Sequence, residues 1–132
     1  EPVAAESIHT KQEVIPLAGR WDPAATVGAG ITTVYIAPHI ALAAVPGEAM
    51  HKLQTLWKSQ ADVPHALFYG YTYSSGGVWA GYIPDLRTAA YGGYGADTST
   101  NVEIGAGEKI MLRHLRNLYE LRGMWLGAPG RN

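Results

Sequence analysis

The 132 residues are 47% hydrophobic with a net charge of −1, enough chain for one small domain around one core. Ten Lys and Arg are scattered among eleven Asp and Glu, which argues against a nucleic-acid groove and against electrostatic capture by an anionic membrane. There is no cysteine, so disulfide frameworks, thiolate metal sites and thiol nucleophiles are excluded.

No run approaches the roughly 20 apolar residues that span a bilayer. The start, Glu1-Pro2-Val3-Ala4-Ala5-Glu6, has neither an initiator Met nor a signal-type apolar core, and is expected to follow a cut, after a signal peptide or within a longer precursor. Sixteen Gly, eight Tyr and four Trp against one Phe fit a loop-rich β protein, or a cleft lined by polar aromatic tips.

In chain order, Glu13 to Leu17 reads as a short extended stretch, and residues 19–30, broken by Pro23, Gly28 and Gly30, read as a loop. The β-rich runs Ile31 to Ala37 and Ile40 to Val45 flank a two-residue break, Pro38-His39, and predict a hairpin or a bent strand pair. The second run is apolar on both faces, as an interior strand would be, although periodicity leaves a short buried helix open. Pro46-Gly47 ends it. Glu48 to Gln60 then places Met50, Leu53, Leu56 and Trp57 on one stripe of an amphipathic helix. Strands are expected over 65–73 and 78–84, joined by the turn Ser74-Ser75-Gly76-Gly77. A short helix is expected over 85–90. Glu108 to Arg122, closed by Gly123, is the clearest helix. The sum is one mixed α/β segment over residues 1–132, a β-sheet covered by helices.

Glu48 is the first candidate for chemistry. A carboxylate after a buried strand and a Pro-Gly turn stands at the end of the sheet, where α/β proteins usually place function; the competing role is a helix-capping acid. His51, three residues on, could share its helical face as a Glu-x-x-His pair, or be a surface histidine. His9 lies in an apparently irregular start, His39 at the strand turn, His65 at a strand opening and His114 in a helix. The five histidines show no H-x-H or H-x₃-H spacing, so no self-contained zinc site is legible. Nucleophile-elbow, phosphate-loop and dinucleotide motifs are missing, and Ser74 and Ser75 have no recognisable base beside them.

From Ile40 to Tyr94 the order of motifs is a strand, Val45-Pro46-Gly47-Glu48, an amphipathic helix, a strand, then Gly81-Tyr82-Ile83-Pro84 and Tyr91-Gly92-Gly93-Tyr94. This order resembles the C-terminal part of the catalytic domain of the neutral/alkaline, non-lysosomal ceramidases. The resemblance implies that Glu48 and Tyr82 are two zinc ligands, and that Tyr94, twelve residues after Tyr82, lies against the scissile amide. It implies a zinc-dependent amide hydrolase acting on an N-acyl amide, such as N-acylsphingosine or a related lipid amide, and a secreted, periplasmic or cell-surface location with peripheral membrane contact. The family's histidine ligands lie upstream of Pro-Gly-Glu, and are expected on an N-terminal part of the same precursor, present as a separate chain or lost. Tyr-Ile-Pro followed by Tyr-Gly-Gly-Tyr matches the broader ceramidase-like bacterial form, and Gly95 stands where the family usually has Glu. The rival expectation is a stand-alone, non-catalytic binding or structural domain with a Tyr- and Trp-lined surface.

Overall fold

Alternating side chains in the first segment set up the sheet, because Ile15 and Leu17 point inward while Val14 and Pro16 point out. The structure, a computed structural model, describes residues 7–72 and 76–124. Strand β1 (Ile8–Ala18) pairs antiparallel with β2 (Thr26–Ile36) along its whole length, from Ile8 opposite Ile36 to Ala18 opposite Thr26. The loop expected over 19–30 is therefore only 19–25. Gly28 belongs to the strand because it lies under a neighbour: a Cβ there would come within 2.9 Å of Val14 Cγ1. His9, expected in an irregular start, is a β1 residue opposite Tyr35.

The expected hairpin forms. β2 turns through a cis Ala37–Pro38 peptide into β3 (Ile40–Ala44), which lies between β2 and the parallel strand β5 (His65–Tyr69). The sheet order β1-β2-β3-β5 makes β3 interior, as its two-sided apolar pattern implied.

The crossover from β3 to β5 departs from expectation at one point that matters. Gly47, Glu48 and Ala49 form a separate short strand, β4 (Gly47–Ala49), paired in parallel with β6 (Gly81–Ile83). Helix α1 (His51–Gln60) starts only after Met50. Glu48 is thus neither a helix cap nor on a helical face shared with His51, because its backbone is extended and its hydrogen bonds run across the ladder. Leu53 and Trp57 still form the buried stripe of α1, and the Trp57 indole N–H donates to the Leu67 carbonyl at 2.9 Å. Both later strands are shorter than expected: β5 ends at Tyr69 and β6 covers three residues. The turn residues Ser74 and Ser75 lie outside the described residues.

Asp85 caps α2 (Leu86–Tyr91), its carboxylate accepting from the Thr88 N–H at 3.2 Å. α3 (Ala106–Leu121) packs with α1 on one face of the sheet, and Ile110, Met111 and Leu118 close the core over Ile31 and Trp57. His114 lies fully inside that core. Its Nε2 faces the Ala44 carbonyl at 3.1 Å, which can only accept, so Nε2 carries the proton; Nδ1 then accepts from the Thr33 hydroxyl at 2.7 Å. Burial pushes this imidazole down to about 4, leaving a neutral, fully partnered core residue. The opposite face of the sheet carries Ile8, Val14, Leu67 and Tyr69, all substantially exposed. Among the described residues no helix is long and apolar enough to cross a membrane.

Candidate active site

The β4–β6 ladder is built by glycines. A Cβ on Gly47 would sit 2.3 Å from the Gly81 carbonyl oxygen, so only glycine lets the two strands approach, and Gly81 itself takes φ 75°. Backbone bonds extend the pairing on both sides, from Ala80 N–H to the Pro46 carbonyl at 2.8 Å and from Met50 N–H to the Ile83 carbonyl at 3.0 Å. In this register Glu48 stands opposite Tyr82. Parallel strands in register put such partners on the same face, about 4.8 Å apart along the sheet.

Tyr94 completes the group. Its ring meets that of Tyr82 edge to face, with centroids 5.4 Å apart and planes at 74°. All three residues singled out in the sequence, Glu48, Tyr82 and Tyr94, therefore meet at one place. A fourth residue, which sequence reasoning missed, is Tyr71. It follows β5, its N–H donates to the Gly47 carbonyl at 3.1 Å, and its ring stacks on Trp79 at 5.5 Å. Tyr71 was hidden in a run expected to be a strand; the only hint was Gly70, which lacks a side chain and so lets the backbone bend.

One carboxylate serves two phenols. A hydrogen bond to Glu48 is the main reason the Tyr71 phenol is held above its ordinary value of 10, with desolvation and the carboxylate's charge adding to it. For Tyr82 desolvation comes first, then the charge of Glu48, then that of Tyr94. Both shifts have one sense: desolvation and the charge of Glu48 favour the protonated phenols. The cluster is open to solvent, with Tyr94 76% exposed.

Gly95, where the resembling family usually has Glu, is packed under the site. A Cβ there would lie 2.2 Å from Met50 Cε and 3.2 Å from the Tyr82 ring. The ring and the methionine methyl occupy the space that a longer residue would need.

The histidines do not join the cluster. His39 and His65 stand together at the opposite end of β3 and β5, the His65 N–H donating to the His39 carbonyl at 3.0 Å, and His9 is near the same end. His114 is sealed in the core, and His51 opens α1 with its ring 3.3 Å from the Thr55 hydroxyl. Among the described residues no three His, Cys, Asp or Glu side chains are grouped to hold a metal.

No family model, no curated protein and no solved structure matches the chain.

The chemistry of the cluster thus follows from its own donors. One carboxylate and one phenol side by side are hard oxygen ligands of the kind zinc accepts, and they amount to half of a four-coordinate shell. Glu48 and Tyr82 stand opposite one another in the ladder, and a metal held by them would need its remaining ligands from elsewhere.

Proposed function

We propose that the chain carries part of the active site of a zinc-dependent amide hydrolase, ceramidase-like in chemistry, with an N-acyl lipid amide as substrate. Glu48 and Tyr82 would hold the metal, and Tyr94 would donate a hydrogen bond to the amide oxygen. The observation that carries this reading is the register of β4 on β6, which sets Glu48 opposite Tyr82 with the Tyr94 ring on the latter.

Amide hydrolysis adds the hydroxyl of water to the acyl carbon, breaks the C–N bond and returns the proton to the departing amine. When bound, zinc would supply a polarised carbonyl and a water whose pKa is lowered to about 7. The chain's own contribution is placement. Glu48 and Tyr82 present their oxygens from paired strands, so their separation is fixed by backbone hydrogen bonds rather than by loop conformation. Tyr94 offers an exposed hydroxyl to the charge that develops on the amide oxygen. The open surface leaves room for a substrate with a long acyl chain.

The histidine ligands would come from an upstream part of the same precursor, and the protein would work outside the cytoplasm or at a cell surface. A second reading draws on the exposure of Tyr71, Tyr91 and Tyr94, which also fits a non-catalytic surface that binds a ligand through its aromatic rings. Native mass spectrometry with metal analysis, followed by hydrolysis of a fatty-acyl amide, separates the two. The hydrolase reading expects a histidine-bearing polypeptide, bound zinc and amide cleavage; a protein complete without zinc and inert on the amide would favour the binding surface.

A further inference from the structure

Strand β1 lies at the edge of the sheet, and the ladder tells which of its backbone groups face outward. The Gly19 N–H donates to the Ala25 carbonyl and the Ala37 N–H to the Ser7 carbonyl, both at 3.0 Å. The odd-numbered residues of β1 therefore turn their backbone groups to β2, and the even-numbered ones turn theirs away. Ala18 shows the outward direction in use: its N–H donates to the Glu103 carboxylate at 2.7 Å, and its carbonyl accepts from the Glu103 N–H at 2.9 Å. Pro16 has no N–H to offer. The outward groups of Ile8, Thr10, Gln12 and Val14 have no hydrogen-bond partner among the described residues. At about 3.4 Å per residue this edge is about 20 Å long, room for an added strand of about six or seven residues.

A groove runs beside the edge. α3 passes β1 in the reverse direction, Arg113 meeting Glu13 and Glu120 meeting Lys11. Between them lie a cavity of about 340 Å³, lined by Ile15, Lys109, Leu112, Arg113 and Arg116, and one of about 200 Å³, where Lys11 joins the two arginines. Leu112 is 63% exposed at the rim. The four cations are ion-paired to three carboxylates, Glu13, Glu103 and Glu120, but unevenly: the cationic side chains are 40–58% exposed and the carboxylates 21–32%. The groove turns its positive charge outward and keeps its negative charge beneath.

We propose that β1 and α3 form a docking site for an acidic, extended segment of another polypeptide. The segment adds a strand to the open edge, sets an apolar side chain against Ile15 and Leu112, and points carboxylates at Lys109, Arg113 and Arg116. The edge selects a polypeptide, because a peptide backbone repeats donor and acceptor at strand spacing; the cations select acidic side chains. A second copy of β1 would match the backbone but bring the α3 cations of both copies together, which opposes pairing. The site is built by elements other than those that carry Glu48, Tyr82 and Tyr94, and stands apart from the zinc reading.

The test is a titration of the 132-residue chain with a synthetic peptide of about eight residues, threonine alternating with glutamate and one central glutamate replaced by leucine. Amide NMR shifts and calorimetry are the readouts. Saturable binding below about 1 mM is expected, with shifts centred on Ile8 to Val14 and on α3. The same peptide with lysine for glutamate, or with alternate amides N-methylated, is expected to bind at least about tenfold more weakly. Lys109→Glu and Arg116→Glu should weaken the acidic peptide by about the same factor. Gln12→Pro removes one outward N–H and leaves the bonds to β2 in place, so it should cost binding while the melting temperature changes little. Should that variant fail to fold, the N-methylated peptide makes the same test from the other side. No binding below about 1 mM, equal binding by the lysine or the N-methylated peptide, or shifts confined to other elements would overturn the proposal. So would a concentration-dependent dimer that protects the Ile8 to Val14 amides without peptide, since the edge would then belong to a second copy.

Discussion

Glu48 and Tyr82, distant in the chain, stand opposite one another in a parallel ladder whose two strands are three residues each. That relationship depends on Gly47 lying flat against the Gly81 carbonyl, and so it can be broken at a residue that carries no chemistry. Gly47→Ala would place a methyl 2.3 Å from that oxygen and force the strands apart. A loss of about 1–3 kcal/mol is expected in urea denaturation, from overpacking against backbone that cannot yield. NMR cross-peaks between β4 and β6 should weaken in the same variant; unchanged stability and intact cross-strand contacts would mean that the ladder is looser than its geometry implies.

Tyr82 and Tyr94 are both phenols but have different proposed tasks, so their phenylalanine variants should differ in the complete enzyme. Tyr82→Phe is expected to retain zinc less well, with activity partly recovered by added metal, while the ring still packs. Tyr94→Phe is expected to keep its zinc and lose kcat by a factor of about 10², as for other single donors to an oxyanion. Metal analysis beside kinetics decides it: if Tyr94→Phe is the variant that loses metal, the two roles are exchanged.

Zinc binding by the 132-residue chain itself should be weak, because two oxygen donors leave a tetrahedral shell half built. Calorimetry with ZnCl₂ is expected to show no site at submicromolar affinity. A stoichiometric tight site would contradict a ligand set divided between this chain and another.

Acid should destabilise the fold before its carboxylates titrate. The His114 imidazole falls from 6.5 to about 4 on burial between Trp57, Thr33 and the Ala44 carbonyl, so the folded state holds it neutral while the unfolded chain binds a proton. Its stabilising effect is complete above pH 6.5 and declines as pH falls toward 4. Between pH 6.5 and 5 the expected loss is about 2 kcal/mol, at 1.36 kcal/mol per unit. Asp85, Glu103 and Glu120, whose pKa values are lowered in the fold, add their own losses at lower pH. Urea midpoints across this window in wild type and His114→Gln test the assignment, and an identical pH slope in both would remove His114 as the cause.

The sheet face opposite α1 and α3 should bind a hydrophobic dye. Leu67, 40% exposed, lies there beside Leu42, with Tyr69, Val14 and Ile8 on the same face. Leu67→Ser is expected to lower dye fluorescence with little change in stability, since the side chain gains little from burial. No dye binding by the wild-type chain would show that this face is covered.

The sequence by itself determined the mixed α/β class, the β2–β3 hairpin, the interior position of β3, the buried stripe of Leu53 and Trp57, and the long helix α3, because each is written in local periodicity or a turn dipeptide. Glu48 was legible as a candidate from its place after a buried strand and a Pro-Gly turn, Tyr82 and Tyr94 only through the family resemblance of their motifs. Only the tertiary structure decided that Glu48 is a strand residue rather than the start of α1: a glycine-permitted pairing with β6, remote in the chain, overrode the helical pattern from Glu48 onward. Likewise Tyr71 reads as one more aromatic in a β-rich run, and joins the cluster because backbone bonds to Val45 and Gly47 impose a left-handed turn that no local rule for tyrosine favours. Hydrogen bonds and contacts between segments far apart in the chain carry no periodicity, and so they leave no trace in the sequence read locally.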